Sequence, residues 1–297
     1  IAAAAGIRIN WDDFSELSYV VPLLTRIYPN GHADVNHYHA AGGLGFTMTT
    51  LLEASLLHDD VQTIMGPGLA NYCREPVVEN ETISWKPVVS QSLDTEILRS
   101  ASDPFSPEGG LRLVQGNLGR AVIKTSAVKE EHHRIQAPAR VFDSQQAFAD
   151  AFNRGEFTTD MVVVLTHQGP ASNGMPELHQ LMPFLRVLQN SGLHVALLTD
   201  GRLSGASGEI LSAIHLTPTT FNNGLVGKVH DGDMVLIDAA AGIVEVDVPD
   251  TVLKQRPEPG PGSEDSTNNM GRELFDVFRR NACDTEAGAT ILKALGS

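Results

Sequence analysis

The sequence contains few cysteines. Cys73 and Cys283 are the two cysteines among the 297 residues, and they lie far apart in the chain and outside any C-x-x-C spacing. Disulfide frameworks and zinc or iron–sulfur sites need several cysteines at characteristic intervals. The sequence therefore predicts two ordinary thiols and indicates neither a disulfide scaffold nor a metal cluster held by this chain alone.

Long apolar runs and positive charge are also scarce. No stretch approaches the roughly 18 apolar residues of a membrane helix, and the opening IAAAAGIRINWDD lacks the basic flank and apolar length of a signal peptide. The 36 acidic side chains outnumber the 21 basic ones, and the net charge of −15 repels nucleic acid and anionic membranes. We expect a soluble cytoplasmic protein with neither of these partners, in which an anionic ligand needs a local basic pocket.

The first part of the chain has the pattern of the end of an α/β domain. Residues 12–28 carry apolar positions at helical spacing, with Asp12 available as the N-cap, and GFTMTTLLEASLLH repeats apolar residues like an amphipathic helix. The segment 100–110 is rich in Pro, Gly and Ser, which predicts a domain boundary near Gly110. We assign residues 1–109 and 110–297 to two domains. Because the chain begins with Ile1, we expect it to be part of a longer polypeptide.

The second part of the chain alternates strand and helix patterns. A hairpin is predicted in DGDMVLIDAAAGIVEVDV, and a surface crossing at 255–270 precedes a helix around Arg272–Arg280. A helix is predicted to begin with Pro176 in its first turn and to stop at Gly192, and another spans 144–154. The strand-like segments are LRLVQG, RAVIKTSAV, ARVFD, MVVVLTHQG and HVALLTD. The class is α/β, with a small β-barrel-like layer flanked by helices.

Two glycine-dense loops follow buried strands, where open α/β sheets present ligand-binding groups. They span residues 166–179 and 199–208, and because their strands are expected to be neighbours, the loops should lie side by side. Glu177 in the first loop fits a helix-capping carboxylate or one hard ligand for Mg²⁺. Ser204 in the second loop fits a backbone-bonding turn, and its flanking Arg202 and Ala206 do not form the G-x-S-x-G pattern of a hydrolase nucleophile.

Two further clusters are weaker candidates. His37 and His39 lie beside Asp34 in an expected loop, but a metal site needs a third ligand that the sequence does not offer. The segment from Gly116 to Arg120, followed by Lys124, places two cations near a glycine turn and could form a phosphate cradle. No P-loop or G-x-G-x-x-G motif is present in the sequence.

Several segments taken together resemble one family. They are IYPNGHADVNHYHAAGG, GGLRLVQGNLGRAVIKTSAV, THQGPASNGMPELHQL, LLTDGRLSGASG and GRELFDVFRRNA, in that order. Their order and spacing are similar to those of the dehydratases that act on 6-phosphogluconate, dihydroxy acids and sugar acids. The resemblance covers essentially the whole chain as the C-terminal half of such an enzyme. The residues of the segments GNLGRAVIKTSAV and ADVNHYHAAGG favour the 6-phosphogluconate branch of the family.

The resemblance implies a homodimeric hydro-lyase of the Entner–Doudoroff route, which converts 6-phospho-D-gluconate to 2-dehydro-3-deoxy-6-phosphogluconate and water. It implies an iron–sulfur cluster, expected to be 4Fe–4S and held by cysteines of the N-terminal half, together with Mg²⁺. Residues 1–109 would then end the cluster-binding domain, and residues 110–297 would form a swivelling barrel-like domain. Carried over by motif, Ser204 is the base that takes the C2 proton and Glu177 is a metal ligand. We add Arg202, Arg120, Lys124 and Asn173 as expected substrate contacts.

The same resemblance predicts what this chain cannot do alone. Neither Cys73 nor Cys283 matches a cluster-ligand segment, so we expect the isolated chain to hold no cluster and to be inactive. Three alternatives remain open. They are a related dehydratase of an unphosphorylated sugar acid or branched dihydroxy acid, a non-catalytic docking or dimerisation module, and a phosphate-binding regulatory domain.

Overall fold

A computed structural model describes residues 1–205, 208–257 and 273–291. The chain divides into two compact units, one of residues 17–110 and the other of residues 1–16 together with the chain from Leu111 onward. The first sixteen residues therefore belong with the second unit, whereas the sequence assigned them to the preceding domain. Within the described ranges, no helix is both long and apolar enough to cross a membrane.

The first helix is shorter than the sequence predicted. Helix α1 spans Trp11–Val20, and the expected helix over residues 12–28 is wrong beyond Val20. Pro22 lacks a backbone N–H and disfavours helical geometry at the residue before it, so the helix cannot continue. The cap also differs, because the Asn10 side chain accepts a hydrogen bond from the Asp13 N–H while the Asp13 carboxylate accepts one from the Asn10 N–H. Asp12 lies inside the first turn.

The unit of residues 17–110 contains two further helices and two small hairpins. The helices are α2 (Val35–Ala41) and α3 (Gly43–Glu53), and α3 lies where its apolar repeat predicted. The strands are β1 (Gln62–Thr63), β2 (Gly66–Pro67), β3 (Arg74–Glu79) and β4 (Thr82–Pro87), paired β1 with β2 and β3 with β4. Ala41, Phe46 and Leu98 form the buried core of this unit.

His37 and His39 lie on α2, so the loop expected there is wrong. Asp34 caps the helix, its carboxylate accepting hydrogen bonds from the backbone N–H groups of Asn36 and His37, while the His37 side chain accepts from the Asp34 N–H. These hydrogen bonds to the charged form lower the pKa of Asp34. The capping box explains the histidine beside the aspartate without a metal ion.

The second unit is built on a closed barrel. Its strands are β5 (Leu111–Gly116), β6 (Gly119–Lys124), β7 (Arg134–Phe142), β8 (Met161–Leu165), β9 (Val195–Thr199), β10 (Leu211–Thr217), β11 (Met234–Asp238) and β12 (Ile243–Val246). They close in the order β10-β6-β5-β12-β11-β7-β8-β9. Strands β7 to β10 are parallel neighbours, and β11 and β12 form the predicted antiparallel hairpin. The predicted α/β class with a barrel flanked by helices is confirmed.

The buried strands explain their uninterrupted apolar runs. In β8, Val162 and Val164 face the barrel interior, whereas Met161, Val163 and Leu165 pack in a second cluster outside it. Every β8 side chain is buried because both faces of the strand are covered. Helices α4 (Gln145–Asn153), α5 (Pro170–Asn173) and α6 (Met182–Asn190) follow strands β7 and β8 in the chain, and α4 and α6 supply the outer cover with Phe148 and Leu185.

The helix predicted to begin at Pro176 is wrong at its start. Glu177 forms an isolated bridge with Arg202, which holds this stretch extended, and α6 begins only at Met182. Pro183 lies in its first turn, where a missing N–H costs nothing. The expected apolar stripe is buried nonetheless, and its members are Leu178, Leu181, Leu185 and Leu188.

The last described elements are short helices. Helix α7 spans Asp250–Gln255 and α8 spans Asp276–Asn281. The helix expected around Arg272–Arg280 is therefore shorter at its start than predicted, with residues 273–275 in a turn. Most of the crossing predicted at 255–270, and Arg272 itself, lie outside the described residues.

Candidate functional site

The two glycine-dense loops lie side by side, as their sequence positions predicted. They follow β8 and β9, which pair in parallel, so the carboxyl ends of both strands meet at one rim of the barrel. The loops join directly, because Glu177 bridges Arg202 and the Leu178 N–H donates to the Arg202 carbonyl at 3.4 Å. The rim therefore brings together side chains that are far apart in the sequence.

The Glu177 carboxylate, in the first loop, forms hydrogen bonds with two residues of the second loop, one of which is the candidate base Ser204. Oε1 accepts a hydrogen bond from the Ser204 backbone N–H at 2.8 Å, and Oε2 accepts one from Arg202 Nη1 at 2.8 Å. Arg202 also donates from Nε to the Met175 carbonyl at 2.8 Å. The structure thus places Glu177, Ser204 and Arg202 together, with the charge of Arg202 already balanced by Glu177.

A buried aspartate holds the loops in place. Asp200 is fully buried, its Oδ1 accepts from the Gln168 N–H at 2.9 Å, and its Oδ2 accepts from the Thr220 N–H at 3.0 Å. Burial raises the pKa of Asp200, while the two backbone hydrogen bonds act in the opposite direction. The sequence analysis did not select Asp200 as a site residue, although its position inside the second loop was a usable signal.

Asn173 belongs to the same bracing network. It ends α5, and its amide Nδ2 donates to Gln168 Oε1 at 3.1 Å. The amide of Gln168 in turn donates to the carbonyls of Asp143 and Thr166, at 2.8 and 2.9 Å. Asn173 therefore supports the first loop through Gln168, and its role as a substrate contact stays a prediction.

A cavity of about 350 Å³ adjoins the second loop on the outer face of the barrel. Its polar groups belong to Ser204, Lys124, His215 and Ser212, together with the backbone of the second loop. Its walls are mostly apolar, and they are formed by Trp11, Phe14, Leu111, Val122, Leu203, Ile210 and Ile214. A ligand in this cavity would meet the candidate base, one cation and one imidazole within an otherwise apolar surface.

Lys124 is the cation of this cavity. Its Nζ donates to the Gly205 carbonyl at 2.9 Å, next in the chain to Ser204, and burial lowers the pKa of its ammonium group. Within the part of the chain that the structure describes, Lys124 makes no ion pair with a carboxylate. A partly buried cation without a counter-charge favours an anionic ligand.

Arg120 is held elsewhere. Its guanidinium pairs with Asp12 at 2.6 Å and with Glu286 at 3.2 Å. Arg120 and Lys124 are four residues apart on one strand, so their Cα atoms are about 13 Å apart. The glycine turn that precedes Arg120 is packed tightly, since Gly116 lies against the Val244 carbonyl. The structure thus separates the two cations that the sequence placed near one turn.

His215 also faces the cavity, and the sequence analysis missed it. It lies near the end of β10 with a left-handed backbone conformation, φ +57°. Burial, and next to it the charge of Arg202, lower its pKa to about 4. The sequence analysis assigned no strand to the segment that contains His215, and the pattern of apolar residues does not show where strand pairing becomes irregular.

The described residues hold only part of what the implied cofactors need. No three His, Cys, Asp or Glu side chains come close enough together in these ranges to hold a metal ion, and the two cysteines are single half-buried thiols. The iron–sulfur cluster therefore does not fit this chain. Glu177 and Ser204 offer hard oxygen ligands suited to Mg²⁺, with the remaining ligands to come from elsewhere.

Two descriptions of one protein family match the chain. The description dihydroxy-acid/6-phosphogluconate dehydratase C-terminal covers residues 96–289, and the corresponding N-terminal description covers residues 1–72. Together these ranges include most of the chain.

Individual relatives agree with this match. A phosphogluconate dehydratase of Pseudomonas aeruginosa is 51% identical over 97% of this chain and 47% of its own length. The phosphogluconate dehydratase of Escherichia coli K12 is 49% identical over 98% of this chain and 48% of its own length. A dihydroxy-acid dehydratase of Acetivibrio thermocellus is 36% identical over 86% of this chain and 44% of its own length. The chain spans about half the length of the curated relatives it matches.

Proposed function

The chain belongs to the dihydroxy-acid/6-phosphogluconate dehydratase family, and from this premise we propose that it is part of a hydro-lyase acting on 6-phospho-D-gluconate. The products are 2-dehydro-3-deoxy-6-phosphogluconate and water. One observation carries the proposal. The two rim loops bring Glu177 and Ser204 into direct contact beside a cavity that also contains Lys124, a cation that pairs with no carboxylate among the described residues.

The reaction needs a base near C2 of the sugar acid. A proton leaves C2, the C3–O bond breaks, and the hydroxide that departs takes up a proton to become water. The enol that remains rearranges to the 2-keto acid. We assign Ser204 as the base. A serine hydroxyl is a weak base at its ordinary pKa, so a positive charge nearby has to favour loss of its proton, and Lys124 lines the same cavity.

Lys124 suits the carboxylate of the substrate. The C1 carboxylate is bonded to C2, so a cation beside the base at C2 is close to C1, whereas the phosphate is at the far end of the molecule. A partly buried ammonium binds a carboxylate by a charge-assisted hydrogen bond. Arg202 remains a proposed anion contact once Glu177 releases it, whereas Arg120 is neutralised by Asp12 and Glu286 and is expected to add little to substrate binding.

The proposal includes two cofactors that need residues beyond this chain. We propose Glu177 and the Ser204 oxygen as the contribution of this chain to a Mg²⁺ site, and a 4Fe–4S cluster held entirely elsewhere. Bound Mg²⁺ supplies positive charge that stabilises a developing negative oxygen. We also propose a cytoplasmic homodimer that binds neither nucleic acid nor membranes. The net charge of −15 supports the absence of these two partners, because it repels other polyanions.

A second candidate function rests on the walls of the cavity. Their apolar side chains suit the branched hydrocarbon part of a dihydroxy acid such as 2,3-dihydroxyisovalerate, and a dihydroxy-acid dehydratase is among the relatives. The higher identity to phosphogluconate dehydratases favours the phosphorylated substrate. The two candidates differ in the polar groups that the substrate offers, so they can be separated by assay.

The test is a dehydration assay of the full-length protein with both acids. We expect turnover of 6-phosphogluconate, and a preference for 2,3-dihydroxyisovalerate would instead establish the second candidate. Ser204→Ala should lower kcat by about a thousandfold or more, the size of loss expected when a base is removed. Ser191→Ala is the matched control, because its hydroxyl bonds the Leu188 carbonyl at the end of α6. Unchanged turnover in Ser204→Ala would favour a non-catalytic module.

A further inference from the structure

Strand β10 departs from regular alternation where it meets the cavity. Leu211, Ala213 and Leu216 pack inside the barrel, whereas Ile214 and His215, two consecutive residues, both line the cavity outside it. The pairing of β10 with β6 shifts register between Ile214 and Thr217. In regular alternation His215 would face the barrel interior, as Leu211 and Ala213 do. The bulge turns its side chain to the outer face instead, where the cavity lies.

The bulge is strained and is fixed to the second loop. His215 has φ +57°, a left-handed conformation that is unfavourable for a residue other than glycine. Its backbone N–H donates to the Gly201 carbonyl at 2.9 Å, three residues before Ser204. Strain of this kind persists only where surrounding structure maintains it, and it concentrates at functional sites.

The imidazole has hydrogen-bonding capacity to spare. Its ring packs edge-on against Trp11, with centroids 5.7 Å apart, and within the described ranges its nitrogens have no hydrogen-bond partner. With a pKa of about 4 the ring is neutral at neutral pH, so one nitrogen donates and the other accepts. Two charged groups bear on the ring: Lys124 lines the same cavity, and Arg202 acts on the ring electrostatically.

We propose that His215 is a further substrate-binding residue, whose imidazole forms a hydrogen bond with a hydroxyl group of a polyhydroxylated acid held in this cavity. The assignment rests on the proposed function. Lys124 supplies the charge that an acid requires, and His215 supplies a neutral polar group in a mostly apolar surface. A half-buried polar group in an apolar surface disfavours an analogue that lacks the matching hydroxyl, because the group is then left without a partner.

The first measurement reports on contact rather than activity. Histidine ring signals of the full-length protein, labelled with ¹³C at histidine, are recorded as 6-phosphogluconate is added, and the His215 signal is assigned by its loss in His215→Phe. Calorimetry follows binding in the same samples. We expect the His215 signal to move with the binding curve. Binding without any change at His215 overturns this inference alone, whereas no binding to the wild-type protein overturns the proposed function with it.

The second measurement uses two variants of different chemistry. His215→Phe keeps a ring against Trp11 but cannot form the hydrogen bond, and we expect kcat/KM for 6-phosphogluconate to fall about 10- to 100-fold. His215→Asn keeps a polar group, tolerates a left-handed backbone, and should recover part of the loss. If both variants keep the wild-type kcat/KM, His215 only packs against Trp11 and the inference is wrong.

Folding effects are separated by a control with the same backbone feature. Asn223 also has a left-handed backbone, φ +59°, and is not among the residues that line the cavity. Asn223→Ala should lower the melting temperature while KM stays within about threefold, since only folding strain is added. If His215→Asn and Asn223→Ala lose stability equally and neither changes KM, the role of His215 is structural and the inference fails.

Discussion

The two ends of strand β6 carry the same charge in different surroundings. At one end Arg120 is balanced by Asp12 and Glu286, which reach it from α1 and from the last described segment. At the other end Lys124 contacts the Gly205 carbonyl and, among the described residues, no carboxylate. The position of counter-charges, rather than the presence of basic residues beside a glycine turn, therefore decides which end can bind an anion.

The difference assigns separate tasks to the two cations. The ion pairs of Arg120 tie β6 to two other parts of the same unit and are a structural connection. Lys124 keeps a charge that a substrate can satisfy, and it lies beside the loop that carries Ser204. Substitutions at the two ends should accordingly change different measurements.

Charge reversal at Lys124 should have the largest effect. Lys124→Glu places a carboxylate where we expect the substrate carboxylate, and repulsion of like charges in a confined site costs several kcal/mol. We expect kcat/KM for 6-phosphogluconate to fall by about a thousandfold, with a smaller loss of melting temperature because the hydrogen bond from Nζ to the Gly205 carbonyl is removed. A loss smaller than about tenfold would remove Lys124 from the site.

Charge reversal at Arg120 should act on folding instead. Arg120→Glu would gather three carboxylates from residues 12, 120 and 286, and we expect the free energy of unfolding to fall by about 2 kcal/mol. Denaturant unfolding measures this loss, and kcat/KM of the folded fraction should stay within about threefold. If activity falls while stability is retained, Arg120 takes part in substrate binding, and the proposed difference between the two ends of β6 is wrong.

Neutralising Glu177 should leave Arg202 in the second loop without a carboxylate partner, as Lys124 already is among the described residues. Glu177→Gln retains an acceptor for the Ser204 N–H but leaves Arg202 without its counter-charge. We expect KM for the anionic substrate to decrease because Arg202 becomes available, while kcat falls at least about tenfold because Ser204 loses support and the proposed Mg²⁺ site loses a carboxylate ligand. Steady-state kinetics separate the two effects, and an increased KM would show that Arg202 is not available to the substrate.

Acid should lower the stability of the folded protein through His215. This is the smallest of the four expected effects. The folded protein holds the pKa of His215 at about 4, below its ordinary value of 6.5, so between these values the unfolded chain binds a proton that the folded chain does not. The stability from this residue is complete above pH 6.5 and is lost as the pH falls towards 4. We expect His215→Phe to reduce the acid-induced drop in melting temperature by a few degrees. If the melting temperatures of the wild-type protein and His215→Phe fall by the same amount as the pH is lowered, the lowered pKa of His215 is wrong.

The sequence predicted what depends on local pattern. Uninterrupted apolar runs identified β8 and β9 as strands covered on both faces, and the positions of the following loops predicted that Glu177 and Ser204 would meet. Apolar spacing alone predicts too long an α1, because Pro22 ends the helix at Val20. These features are set by neighbouring residues, so they can be read from one sequence.

Long-range pairing was beyond the sequence. Nothing near Arg120 shows that Asp12 and Glu286 neutralise it, because those residues are far away in the chain. The bulge that turns His215 outward depends on the register between β10 and β6, and the burial of Asp200 depends on loops from three strands. Counter-charges, bulges and buried polar groups are properties of the assembled barrel, and they decide which candidate residues can bind a ligand.

The most direct test of the central claim compares neutral substitutions at the two ends of β6. Calorimetric titration of 6-phosphogluconate into the full-length wild-type protein, Lys124→Met and Arg120→Met gives the three dissociation constants under one buffer condition. We expect Lys124→Met to weaken binding by about 10- to 100-fold, the value of a charge-assisted hydrogen bond, and Arg120→Met to change it by less than about threefold. Equal weakening by both substitutions, or weakening by Arg120→Met alone, would show that counter-charges do not decide which end of β6 binds the anion.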